Sequence, residues 1–427
     1  MRGHWITDWN PDDGAAWERA GRSIARRNLV FSVFAEFLGF SVWQLWSVVA
    51  VQLNRAGFHL TVPELFWLVS LPGLVGATMR FPYSVAVPLF GGRTWTVVSA
   101  ALLLVPTAAL AVLVQHPETP FWLLLLGAAT AGLGGGNFAS SMSNISFFYP
   151  DRQKGWALGL NAAGGNIGVA VVQFVVPAIA GLGVVAAGLV WMPLIVAASV
   201  CALLFMDNLA VSRARLRDQI AIVRRRHTWV MSLLYVGTFG TFIGCSAALP
   251  LLIRTAFPGM NPAEFAFIGP LAGSLARPAG GWLWDRLGGA KVTFWNFGLM
   301  AAAAGGVVVA LAHRDSPAGV PVFLAMSLAL FVTAGIGNGS TFRMIPTLFP
   351  PREAAPVLGF SSAVAAYGSF VIPQGLSLSL AATGGYTAAL LALVAFSLLC
   401  LSVTWWFGVR ERRAPAAAPA ASEAEAV

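Results

Sequence analysis

A succession of apolar runs, each near the ~20 residues needed to cross a hydrocarbon core as a helix, fixes what this chain can become. The runs fall near 29–53, 63–89, 94–114, 120–149, 153–181 and 185–206, then near 229–253, 263–285, 291–312, 319–348, 353–381 and 386–408. Lipid offers no partner to backbone N–H and C=O groups, so each run is expected to be an α-helix. Composition agrees: 57% of the 427 residues are hydrophobic and 10% charged, against about 25% charged in soluble domains. The expectation is an all-α integral membrane protein with twelve transmembrane helices in two pseudo-symmetric six-helix halves, 29–206 and 229–408. Residues 1–28 read as a cytoplasmic arm, 207–228 as a basic cytoplasmic linker, and the Ala/Pro/Glu-rich 409–427 as a disordered cytoplasmic tail. About 28 polar and charged residues precede the first run, unlike a signal peptide, so that run reads as an uncleaved anchor.

Charge gives the orientation. The net charge of +9 sits in short clusters between apolar runs rather than on a nucleic-acid-binding face. With both termini cytoplasmic, all but six of the 26 Lys and Arg lie on the cytoplasmic side. Arg55, Arg254 and Arg314 fall on the other side, and Arg80, Arg277 and Arg343 fall within runs. The positive-inside rule therefore predicts an N-in, C-in multi-pass membrane protein.

The halves repeat each other. "PGLVGATMRFPYSVAVPLFGGRTWT" (72–96) is answered 197 positions later by "PLAGSLARPAGGWLWDRLGGAKVT". Gly76 then falls on Gly273, Arg80 on Arg277, Gly91 on Gly288, Gly92 on Gly289 and Thr96 on Thr293. "ALGLNAAGGNIG" (157–168) is echoed by "VLGFSSAVAAYG" (357–368), and "GGNF" (135–138) by "IGNG" (336–339). An arginine at mid-bilayer costs roughly 3 kcal/mol on insertion scales and more in simulations. Arg80 lies about 17 residues into its run and Arg277 about 14, so both are expected near mid-depth. Of the 17 Asp and Glu, only Glu36 lies clearly inside a run. Two buried cations against one carboxylate leave a positive cavity, and a transported anion supplies the missing charge. A guanidinium is planar, permanently charged and bidentate, which suits a small planar oxyanion better than a halide or a neutral sugar.

Other chemistries find little support. Cys201, Cys245 and Cys400 are dispersed through apolar runs without metal or disulfide spacing, and the five histidines lie in or beside polar connections. No cofactor, metal or catalytic residue is expected, so a membrane-embedded enzyme is disfavoured. An anion sensor would need a signalling domain, and the 19-residue tail is a poor one. The glycines of 131–150 and 155–174 serve close helix packing, but Asn137, Asn144, Asn161 and Asn166 need polar partners.

Two six-helix halves joined by a basic loop resemble the plan of a major-facilitator transporter. The segments "GGNFASSMSNISFFYP", "ALGLNAAGGNIGV" and "GIGNGSTFRMIP…VLGFSSA" further resemble the paired signatures of the NarK-type nitrate/nitrite porters. "MSLLYVGTFGTFIG" and "ITDWNPDD" are similar to that family as well. The resemblance implies that nitrate or nitrite is clamped between Arg80 and Arg277. It also implies an amide from Asn166, a hydroxyl from Tyr235, aromatic walls from Phe138, Phe239 and Phe40, and a contact from Ser362. Tyr235 and Phe239 are four apart, hence on one helix face.

Two residues depart from the family pattern. Glu36 lies four residues before Phe40; it is either a helix-end glutamate reaching cytoplasmic water or a protonatable coupling site. Burial and the arginine field act on its charge in opposite senses. Arg343 stands near the cytoplasmic end of the tenth run, as a gate or a surface contact. The expected function is nitrate/nitrite transport by alternating access, coupled as nitrate/proton symport or nitrate/nitrite antiport. The rival is a major-facilitator carrier of another small organic or phosphorylated anion. Expected partners are nitrate, nitrite, a co-transported proton and membrane lipid, with no nucleic acid, and the chain is expected to be a monomer.

Overall fold

The computed structural model describes residues 5–212 and 222–410. Its N-terminal half comprises α1 (Gly14–Ala56), α2 (Val62–Phe90), α3 (Gly92–Leu113), α4 (Phe121–Phe148), α5 (Asp151–Ala178) and α6 (Ala186–Phe205). Its C-terminal half comprises α7 (Arg226–Ala256), α8 (Ile268–Leu287), α9 (Gly289–Ala312), α10 (Gly319–Ile345), α11 (Pro356–Thr383) and α12 (Thr387–Phe407). Eleven of these twelve are long and apolar enough to span a membrane. The exception is α8, whose 20 residues are diluted by Arg277, Asp285 and Arg286. The expected basic run at Arg213, Arg215 and Arg217 and the tail 411–427 lie outside the described residues.

The internal repeat is visible in the backbone. Gly91 (φ 88°) separates α2 from α3, and Gly288 (φ 86°) separates α8 from α9 at the matching position. Both have left-handed φ that glycine adopts without a Cβ penalty, which lets one helix follow another after a single residue. Within each half the same pairs pack: α2 on α4, and α8 on α10. The halves meet where α2 lies along α11 and α5 lies along α8.

Polar and aromatic contacts cross that seam on both sides of the molecule's middle. Toward the start of α2, Gln374 Nε2 donates to Ser70 Oγ (2.6 Å), and the Trp67 and Phe370 rings lie 5.9 Å apart. Further along, Thr78 Oγ1 and Tyr367 OH share a hydrogen bond (3.0 Å), and Phe81 meets Phe360 at 6.0 Å. Between α5 and α7, Gln173 Nε2 donates to Ser246 O (2.7 Å).

Helix α1 begins well before the apolar run at 29. Asp13 caps it, accepting from Ala15 N (3.0 Å) and Ala16 N (3.2 Å), and so satisfies N–H groups at the helix start. The arm ahead of it is packed down. β1 (Trp5–Ile6) pairs in parallel with β2 (Asn208–Leu209), just after α6. Trp9 Nε1 donates to Phe147 O at the end of α4 (2.9 Å), and Trp17, 1% exposed, lies edge-on to Tyr149. Arg27 and Asn28 both bond Asp207 Oδ2, at 2.6 and 2.8 Å. The cytoplasmic arm expected from sequence is thus docked by its tryptophans, a strand pair and the Asp207 contacts together.

Candidate functional site

The site is built from helices that the repeat sets opposite each other. Arg80 on α2 is fully buried and Arg277 on α8 is 3% exposed. Among the described residues neither makes a salt bridge. Arg80 instead donates from Nε to Gly135 O (3.0 Å) on α4 and from Nη1 to Ser362 O (2.8 Å) on α11, so its guanidinium spans the seam. Arg277 donates from Nη2 to the Tyr235 hydroxyl (3.2 Å) on α7. Among the described residues, Arg80 Nη2 and Arg277 Nη1 have no hydrogen-bond partner.

Aromatic rings surround these charges. The Arg80 guanidinium carbon lies 4.6 Å from the Phe138 ring, 5.1 Å from Phe239, 5.2 Å from Trp43 and 6.0 Å from Phe40. Phe138 and Phe239 stack at 6.0 Å, and Phe239 stacks on Tyr235 at 5.4 Å. One ring stack therefore runs from the Arg80 guanidinium to the hydroxyl that holds Arg277. Arg277 also lies over Phe342, at 5.3 Å. The quadrupole of each ring face favours a nearby cation, and the rings keep water away. A cation held this way keeps its full charge available to an anion.

The amides divide. Asn166, 0% exposed, has neither side-chain atom paired, and the same holds for Asn137, 3% exposed. Asn161 is committed to Glu36: its Nδ2 donates to Glu36 Oε2 (2.7 Å), and Ser141 Oγ bonds the same oxygen. Glu36 is fully buried and does not reach water as a helix-end glutamate would, and among the described residues its Oε1 has no partner. Ser362 contributes through its backbone; its hydroxyl donates to Gly359 O (2.8 Å) in its own helix. Arg343 pairs with Asp285 at the end of α8 (Nε–Oδ1 3.1 Å). A Cβ on Gly155, in the other half, would collide with Arg343 Nη1, so that arginine reaches across the seam.

Of the residues expected from sequence, Arg80, Arg277, Tyr235, Phe138, Phe239, Phe40 and Ser362 are joined by the contacts above; Glu36 lies four residues before Phe40, and Asn166 is buried on α5 with its amide unpaired. Sequence reading missed Ser141, Trp43, Phe342 and the Gly135 carbonyl. Ser141 lies within the quoted "GGNFASSMSN" signature, a usable signal; Trp43 and Phe342 look like any other apolar-run aromatics.

Such a site, at the middle of two six-helix halves, defines a membrane carrier. The Major Facilitator Superfamily profile matches residues 29–373. The fold is also that of a bacterial homolog to the human lysosomal transporter Spinster in its inward-facing and occupied conformation. That match has a TM-score of 0.67 at 13% identity, over 91% of this chain and 98% of that one. The chain is 41% identical to the nitrate/nitrite transporter NarU of Escherichia coli K12, over 94% of this chain and 95% of NarU. It is 38% identical to a probable nitrate/nitrite antiporter, NarK2, of Thermus thermophilus, over 96% and 98%. A Bacillus subtilis nitrite extrusion protein is 30% identical over 88% and 92%. The chain belongs to the Major Facilitator Superfamily and, within it, to the NarK-type porters. It is a transporter, not an enzyme.

Proposed function

We propose that this protein moves nitrate and nitrite across the bacterial inner membrane, both termini cytoplasmic, with one anion clamped between Arg80 and Arg277. The observation that carries this reading is the pair of buried guanidinium groups on one ring stack, with no carboxylate paired to either among the described residues. The names of its relatives supply the anion's identity. Among the described residues each guanidinium has an unpartnered nitrogen and Asn166 an unpartnered amide, which leaves donors free for an anion. Without an anion the two charges repel and oppose closure of the halves. With a monovalent anion between them the repulsion is offset, so the loaded carrier reorients more readily than the empty one. That rule yields exchange of nitrate for nitrite.

A second reading, nitrate/proton symport, rests on Glu36. A carboxyl group held by Ser141 and Asn161 in the same buried region can take a proton and so change the charge the site carries. The protonated form leaves the arginines' charge to the anion; the ionised form competes with it.

The test of the anion's identity is competition. In proteoliposomes, nitrite should inhibit labelled nitrate uptake at concentrations similar to nitrate's own KM, whereas sulfate and small phosphate esters should do so only weakly. Sulfate competing as well as nitrite would sink the planar, monovalent site and favour a carrier of another anion.

A further inference from the structure

A cavity of about 460 Å³ opens on the face opposite the N-terminal arm, at the seam between the halves. Val48, Gln52 and Arg55 of α1 line one side, Pro177 closes the α5 side, and Pro250 and Asn261 contribute from the other half. Pro177 and Pro250 each lie one helical turn outward of the pair Gln173 and Ser246, whose hydrogen bond joins α5 to α7. The cavity therefore sits directly outside a contact that shuts the seam. Its α1 wall, Val48 and Gln52, lies beyond an irregular turn at Gln44 from Phe40, a ring of the arginine site. Arg55 at the rim is about 22 Å from Phe40 along the helix axis.

Arg55 makes no ion pair or hydrogen bond among the described residues. Glu264, which directly follows the lining residue Ala263, is not itself part of the lining and accepts from the lining amide of Asn261 (Nδ2–Oε1 3.2 Å). A guanidinium at the mouth of a cleft whose lining includes no carboxylate concentrates anions there. We propose that this cavity is an outer capture station for a small monovalent oxyanion, with Arg55 as its charged group and Gln52 as a neutral donor below it. It rests on the anion-carrier reading, and it assigns a second, weaker site that loads the first.

The two stations demand different things of their arginines. A clamp needs the bidentate fork, whereas a capture station needs only charge. Nitrate entry is to be measured from each face in turn, at ~20 mM and ~500 mM ionic strength. Arg55→Gln should raise KM for entry from the arm-distal face about 3- to 10-fold at low salt. That gap should close at high salt, where the Debye length falls to a few Å. Entry from the arm-proximal face should keep its KM. Arg55→Lys should restore low KM, and Gln52→Lys should lower it below that of the unaltered protein. Equal KM changes on both faces, a salt-independent change, or Arg55→Gln matching the unaltered protein at low salt would overturn the capture station while leaving the clamp intact. If the unaltered protein moves no nitrate, the carrier reading itself has failed.

Discussion

The two arginines descend from the same position of a repeat, yet their surroundings differ. Arg80 is fastened: two carbonyls from two helices accept from it, one in each half, and four rings lie within 6.0 Å of its guanidinium. Arg277 is held by one hydroxyl and faces one ring. Duplication thus delivered two equivalent charges, and the neighbours have made them unequal. On the clamp proposed above, Arg80 would be the more firmly held jaw and Arg277 the lighter one.

Substitutions can break that contrast, from the largest expected effect downward. Arg80→Lys or Arg277→Lys replaces a planar fork with a point charge and forfeits hydrogen bonds to a charged group worth about 1.5–3 kcal/mol each. Nitrate flux should fall about 100-fold or more in either variant, and near-normal uptake in one would remove that jaw from the clamp. Glu36→Gln keeps an acceptor for Ser141 and Asn161 but cannot ionise. Uptake driven by an imposed proton gradient should be lost, while uptake against internal nitrite stays within about threefold; proton-driven uptake that persists would rule Glu36 out as the coupling group. Tyr235→Phe removes only the hydroxyl on Arg277, and kcat/KM should drop about 10-fold, near the cost of one hydrogen bond to a charge. If flux is unchanged, Arg277 does not depend on that anchor and the two jaws are more alike than they look. Tyr367→Phe deletes a neutral seam bond to Thr78, worth about 1 kcal/mol, so a two- to fivefold change in turnover is the expected readout.

Much of the fold was legible because lipid forces a simple code: apolar runs of spanning length must be helices, and the 197-residue offset exposed the duplication. The arginines stood out because charge in such a run is costly. Their immediate partners did not stand out. The Gly135 and Ser362 carbonyls are backbone groups, which carry no sequence signature, and Ser141 meets Glu36 only because α1 and α4 pack together. Glu36 shows the limit most clearly: its position in the run is compatible with water or with burial, and only the packing of α1 against α4 and α5 separates the two. The arm's docking was hidden for a related reason. Its few tryptophans act through distant partners such as Phe147 and Tyr149, beyond the reach of local periodicity.

That docked arm has a mechanical corollary. β1 lies against β2 behind α6, and Arg27 and Asn28 near the start of α1 grip Asp207 next to that strand. The first and last helices of the N-terminal half are thereby stitched at one rim, like a barrel hoop. Contacts at that rim tie the half to itself, whereas the Arg80–Ser362 bond ties one half to the other.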